Sequence, residues 1–133
     1  MAKYILTLND EQAKIVAQAC EFFARIKFGQ FQEISTVCLS NELSEEEYYI
    51  QQKLAIRHLL EARKVIYPEL HGISHSYGIG KFPEADRAFD VYQVLRYALG
   101  DQREPFRFRE LLPNCTKTEY RNENLSRKDD LNE

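Results

Sequence analysis

Apolar residues recur at three- and four-residue intervals over most of the first hundred positions, the period of amphipathic helices. A short apolar run, "KYILTL" (residues 3–8), leads in and has the composition of a strand. Asn9 then stands as a helix N-cap, and Gln12 three residues later completes a capping box. The spacing predicts a first helix over 10–27, with Val16, Ala19, Cys20, Phe23 and Ile26 on its apolar face and Ile15 and Phe22 widening it. Gly29 breaks the pattern, because glycine is a poor helix-interior residue. A short second helix follows from the period Phe31, Ile34, Val37, Cys38.

Ser44 with Glu47 is a second capping box, and "SEEE" places acid where a helix dipole favours it. Tyr48, Leu54, Ile56, Leu59, Leu60, Val65 and Ile66 carry a third helix to about Tyr67, and Pro68 ends it. Pro83 opens a fourth, on which Ala85, Ala88, Tyr92, Leu95 and Leu99 recur at i+3 and i+4; Gly100 is a natural terminator. Beyond it, "REPFRFREL" alternates aromatic and basic residues, as a short strand would. It would pair with residues 3–8. The fold class is therefore mainly α, a small bundle of about four helices with at most a two-stranded ribbon built from the N-terminus and residues 105–111. A single domain is expected over 1–113, and the polar, mixed-charge stretch 114–133 is expected to be a flexible tail.

Composition narrows the class. The chain has 133 residues, 44% hydrophobic and 29% charged, which suits one globular domain that oligomerises for added stability. A net charge of −3 argues against nucleic acid as the partner. No apolar run nears the ~20 residues of a membrane span, and no signal peptide is evident, so a cytoplasmic location and no membrane partner are expected. Cys20, Cys38 and Cys115 are odd in number and lack CxxC spacing, as suits reduced thiols.

One segment stands apart. "HGISHSYGIGKF" (71–82) carries glycines, histidines, serines, a tyrosine and a lysine between two helices. Gly72, Gly78 and Gly80 permit unusual backbone and close ligand approach, and successive free N–H groups in such a loop can form an anion-binding nest. His71, His75, Ser76 and Lys81 add polar groups, and Tyr77 offers a ring on which a base can stack. The segment is neither a P-loop nor a dinucleotide fingerprint. The acids Glu84 and Asp86 open the next helix, so an anion must be held by the loop and by arginines, not by that helix dipole. Arg25, Arg57 and Arg87 are the candidates to converge on it, because guanidinium forks suit phosphate. The plain alternative is a connector packed by Ile73, Tyr77, Ile79 and Phe82.

Other chemistry has little support. The histidines lack zinc-site spacing, and no G-x-S-x-G elbow activates a serine, so neither a metal, a cofactor nor a catalytic residue is assigned. Asp86 and Asp90 at i,i+4 beside Arg87 read as a solvated face. Phe22, Phe23, Phe28 and Phe31 read as core.

Three segments together, "ACEFFARIKFGQFQEI" (19–34), "SYGIGKFPEADRAFDVYQVLR" (76–96) and the charged C-terminal tail, resemble small accessory proteins of tailed bacteriophages and prophages. The resemblance covers about half the chain and carries no catalytic signature. It implies a phage origin, action in the host cytoplasm, and a role in binding and blocking a host component. The reading is a non-enzymatic, homo-oligomeric binding protein that sequesters a small phosphate-bearing ligand, such as a nucleotide signal of bacterial defence. The alternatives are an inhibitor that contacts a host protein directly and, third, a small hydrolase or nuclease.

Overall fold

The structure is a computed structural model and describes residues 2–100. Four helices appear in order: α1 (Asp10–Lys27), α2 (Glu33–Cys38), α3 (Glu45–Ile66) and α4 (Pro83–Ala98). The mainly helical class is thus as the periodicity predicts. The caps explain the boundaries. Asn9 N–H donates to Gln12 Oε1 at 3.1 Å while Gln12 N–H donates to Asn9 Oδ1 at 2.8 Å, a complete reciprocal box. Ser44 Oγ accepts from Glu47 N–H at 3.2 Å, and Glu45, Glu46 and Glu47 fill the first turn of α3. At the end of α4, Gly100 takes φ +107°, and its N–H donates to the Tyr97 carbonyl at 3.1 Å.

The ribbon is not borne out. Residues 3–8 form no strand, and no strand occurs among the described residues. Tyr4, Ile5 and Leu6 are exposed, with no neighbouring strand to take up their backbone hydrogen bonds. The other proposed partner, 105–111, lies outside the described residues, as does the tail 114–133. No helix among the described residues is long and apolar enough to cross a membrane.

The chain divides into two compact units. One is Phe22–Ala85; the other, among the described residues, joins 2–21 to 86–100. In the Phe22–Ala85 unit, Ala24, Phe28, Phe31 and Leu70 are buried. Of the expected phenylalanine cluster, Phe28 and Phe31 are core, Phe22 is half-buried and Phe23 is exposed. α2 lies against α3, and its buried Ser35 donates from Oγ to the Gln32 carbonyl at 2.7 Å. α3 is unusual: across 22 residues its one buried side chain is Arg63.

In the second unit the inward positions of α1 are Ala13 and Ala17 rather than the predicted Ala19, which is exposed with Ile15. On α4 the inward stripe is Asp86, Asp90, Gln93 and Val94. The reading of Asp86 and Asp90 as a solvated face is therefore overturned: each is 3% exposed. They share with Gln93 and Val94 an i, i+4, i+7, i+8 stripe, and it is that stripe which faces inward. Both residues have interaction partners.

Candidate functional site

The 71–82 loop is held in place by a group 34 residues distant from one of its partners and 12 or fewer from the others. Arg63, 2% exposed near the end of α3, donates from one terminal nitrogen to the carbonyls of Gly29 (3.1 Å) and His75 (3.0 Å). Its other terminal nitrogen donates to the Gly72 carbonyl. One planar fork thus ties the end of α1 to two points of the loop, a task for which guanidinium geometry is suited and an ammonium is not. The same junction is closed by Tyr77 N–H, which donates to the Phe28 carbonyl at 2.8 Å, and by Tyr67 Oη, which donates to the Lys27 carbonyl at 2.9 Å.

Gly29 makes this approach possible. Its φ is +91°, and an added Cβ would overlap Leu70 Cδ1. The loop glycines differ in role. Gly72 and Gly80 take positive φ, whereas Gly78 does not, and open space surrounds both Gly72 and Gly78.

Rings form a continuous cluster on this frame. Tyr67 lies 6.0 Å from Phe31, 5.4 Å edge-on from Tyr77 and 6.2 Å from Phe82, and Tyr77 meets Phe82 edge-on at 5.4 Å. Two ammonium groups sit over it, Lys27 Nζ 5.1 Å from the Phe82 centroid and Lys81 Nζ 5.1 Å from the Tyr77 centroid. Neither lysine makes an ion pair among the described residues. No acid occurs in the sequence between Glu69 and Glu84. The buried Arg63 charge lies beneath the same loop, with carbonyl oxygens and no carboxylate as its partners. The charge over these rings is thus that of two lysines, on an overall acidic chain.

Burial pushes the Tyr67 hydroxyl above the ordinary phenol value, and the nearby Glu69 carboxylate adds to the shift. Tyr67 therefore stays a hydrogen-bond donor through the neutral range.

The expected residues are distributed unevenly. His71, His75, Gly78 and Lys81 are exposed on the loop; Ser76 and Tyr77 are half-buried. His71 N–H donates to His75 Nδ1 at 2.9 Å, and the two rings stack with centroids 6.3 Å apart. Arg25 reaches the loop indirectly: it donates to Gln30 Oε1 at 3.1 Å, and Gln30 Nε2 lies 3.5 Å from Ser76 Oγ. Glu33 lies 3.6 Å from the same guanidinium. Arg57 is exposed on a different face of α3 from Arg63, and Arg87 belongs to the other unit. The amides of His71, His75, Tyr77 and Lys81 are already hydrogen-bonded within the chain, so these four supply no anion nest. Among the described residues, no group of three histidine, cysteine or acidic side chains is placed to hold a metal.

Two residues escaped the sequence reading, Arg63 and Lys27. Arg63 was legible in one respect: it continues the inward stripe Ile56, Leu59, Arg63, Tyr67, and an arginine on an apolar stripe is a buried, hydrogen-bonded arginine. Lys27 carried no such signal. The second unit has a shallow cleft of about 470 Å³, where Lys14 and Glu21 of α1 and Tyr92 and Arg96 of α4 are among the lining residues.

No family model matches the chain, and it matches no curated protein and no solved structure.

Proposed function

We propose that this protein is a non-enzymatic binding protein that holds a small phosphate-bearing ligand on the outer surface of the 71–82 loop. The observation that carries the reading is the pair of ammonium groups, Lys27 and Lys81, poised over the perpendicular Phe82 and Tyr77 rings with no carboxylate partner among the described residues. Such an arrangement offers two charge-assisted contacts to phosphate oxygens. His71 and His75, exposed on the same loop, extend the polar rim. The Arg63 clamp supports the reading in a second way, because an ordered loop loses less entropy on binding. Side chains rather than backbone amides carry the recognition.

The resemblance to phage accessory proteins supplies a setting, in which a nucleotide signal of bacterial defence is a ligand of this chemical class. Titration calorimetry against a panel of cyclic and linear nucleotides tests the reading. Saturable heat is expected for at least one member, weakened about tenfold by Lys27→Ala and by Lys81→Ala. No heat and no thermal shift across the whole panel would sink it.

A further inference from the structure

The outer face of α3 carries a pattern that the loop does not explain. Glu47, Ile50, Leu54 and Arg57 follow one another at spacings of three, four and three, which places them on a single stripe of the helix. Ile50 is 57% and Leu54 49% exposed. Glu47 and Arg57 are exposed as well, and neither has an ion-pair partner among the described residues. The opposite side of the helix, with Gln52, Leu59 and Arg63, is the one turned toward the protein.

Read from either end, the stripe is acid or base, then two apolar residues, then the opposite charge. It is thus complementary to its own reversal. A second copy laid antiparallel, with the two-fold axis level with Gln52, sets each Ile50 against the other copy's Leu54. It also sets each Glu47 against the other copy's Arg57. These are the alternating layers of an antiparallel coiled-coil contact, and they are isologous, as a two-fold dimer requires. Both charges, unpaired among the described residues of one chain, are then paired.

We propose that this stripe is a homodimer contact, and that its occupant is a second copy of α3. The seam is short. It covers less than the roughly 800 Å² per partner of a standard stable interface, so the dimer forms reversibly and with concentration. Its like-for-like charge order selects the antiparallel arrangement: a parallel copy would set Glu47 against Glu47 and Arg57 against Arg57.

Sedimentation velocity over a wide concentration series, at low salt, reads the association directly. The expected result is a monomer–dimer equilibrium that weakens in high salt and is lost in Leu54→Asp, with helicity by circular dichroism unchanged. Glu47→Arg and Arg57→Glu should each weaken it about tenfold, and the two together should restore it, because the swapped pair is complementary again. A wild-type chain that stays monomeric at every concentration overturns the proposal, whatever other protein it binds. So does a double variant no better than its singles, and so does rescue of Glu47→Arg by Lys64→Glu instead of Arg57→Glu, which would place the copies in another register.

Discussion

The Arg63 guanidinium donates to the Gly29 carbonyl at 3.1 Å, joining residues 34 positions apart at the point where α1 ends. Because the same group also reaches the Gly72 and His75 carbonyls, one side chain serves three backbone acceptors, of which Gly72's also accepts from His75 N–H at 3.3 Å. Arg63→Met keeps the stem and removes the donors. It should cost about 3 kcal/mol, since the Gly29 acceptor is buried and left unpaired. Arg63→Lys should recover only part of this, for an ammonium has no planar fork. Urea unfolding measures the loss. Hydrogen exchange at Tyr77 N–H, bonded to the Phe28 carbonyl, should accelerate in both variants because it reports the same junction.

Gly29 and Gly72 both take positive φ, at +91° and +80°, yet their surroundings differ. At Gly29 an added methyl collides with Leu70, itself 3% exposed; at Gly72 it meets open space. Gly72→Ala should therefore cost only the backbone term, about 1–2 kcal/mol. Gly29→Ala adds a packing clash and should cost about 2–5 kcal/mol. A double variant, Gly29→Ala with Leu70→Ala, should lose less than the sum of its singles, because the smaller side chain removes the clash but not the strain. Thermal melts of the four variants check the order.

What was legible follows from the range of the interactions. Helix ends are set by neighbours three or four residues apart, so the Asn9/Gln12 and Ser44/Glu47 pairs could be read directly, as could the break at Gly29. The burial of Asp86 and Asp90 could not. Alternation at i,i+4 fits a wet and a dry stripe equally well when both contain alanine and charge, and the choice is made by what packs against α4. The loop sits between these cases. Its glycines announced special backbone correctly at Gly72 and Gly80, but the amides of His71, His75, Tyr77 and Lys81 are spent on the chain itself, and its fastening depends on Arg63, whose burial the stripe of α3 signals but whose partners lie nine to 34 residues away. Arg57 drew attention through its position in mid-helix, whereas the arginine that organises the loop is six residues further on.

The two described cysteines should differ in reactivity. Burial pushes the Cys20 thiol above its ordinary value, which lowers its thiolate fraction at neutral pH, and the side chain is partly covered. Cys38 is exposed at the end of α2. In a Cys115→Ser background, Cys38 should react with a disulfide reagent at least about tenfold faster than Cys20 under native conditions, the two converging in denaturant. Equal native rates would show that the α1 face around Cys20 opens readily.

Tyr67 makes the pH prediction. Its hydroxyl donates to the Lys27 carbonyl, and its ionisation lies above the ordinary value of 10.0 through burial first and the Glu69 carboxylate second. In the unfolded chain Tyr67 ionises near that ordinary value, while in the folded chain it still holds its proton. The contribution is thus fully present below pH 10.0 and declines as pH rises through the higher folded-state value, where the donor itself is lost. Tyr67→Phe should cost about 1 kcal/mol at neutral pH, with the ring contacts to Tyr77 and Phe82 kept. Above pH 10.0 the gap between wild type and variant should close, because only the wild type has a phenol to ionise at this position. Urea midpoints measured at neutral and alkaline pH decide it. A gap that stays constant across that range would mean the hydroxyl is not held as a buried donor at the α1 terminus.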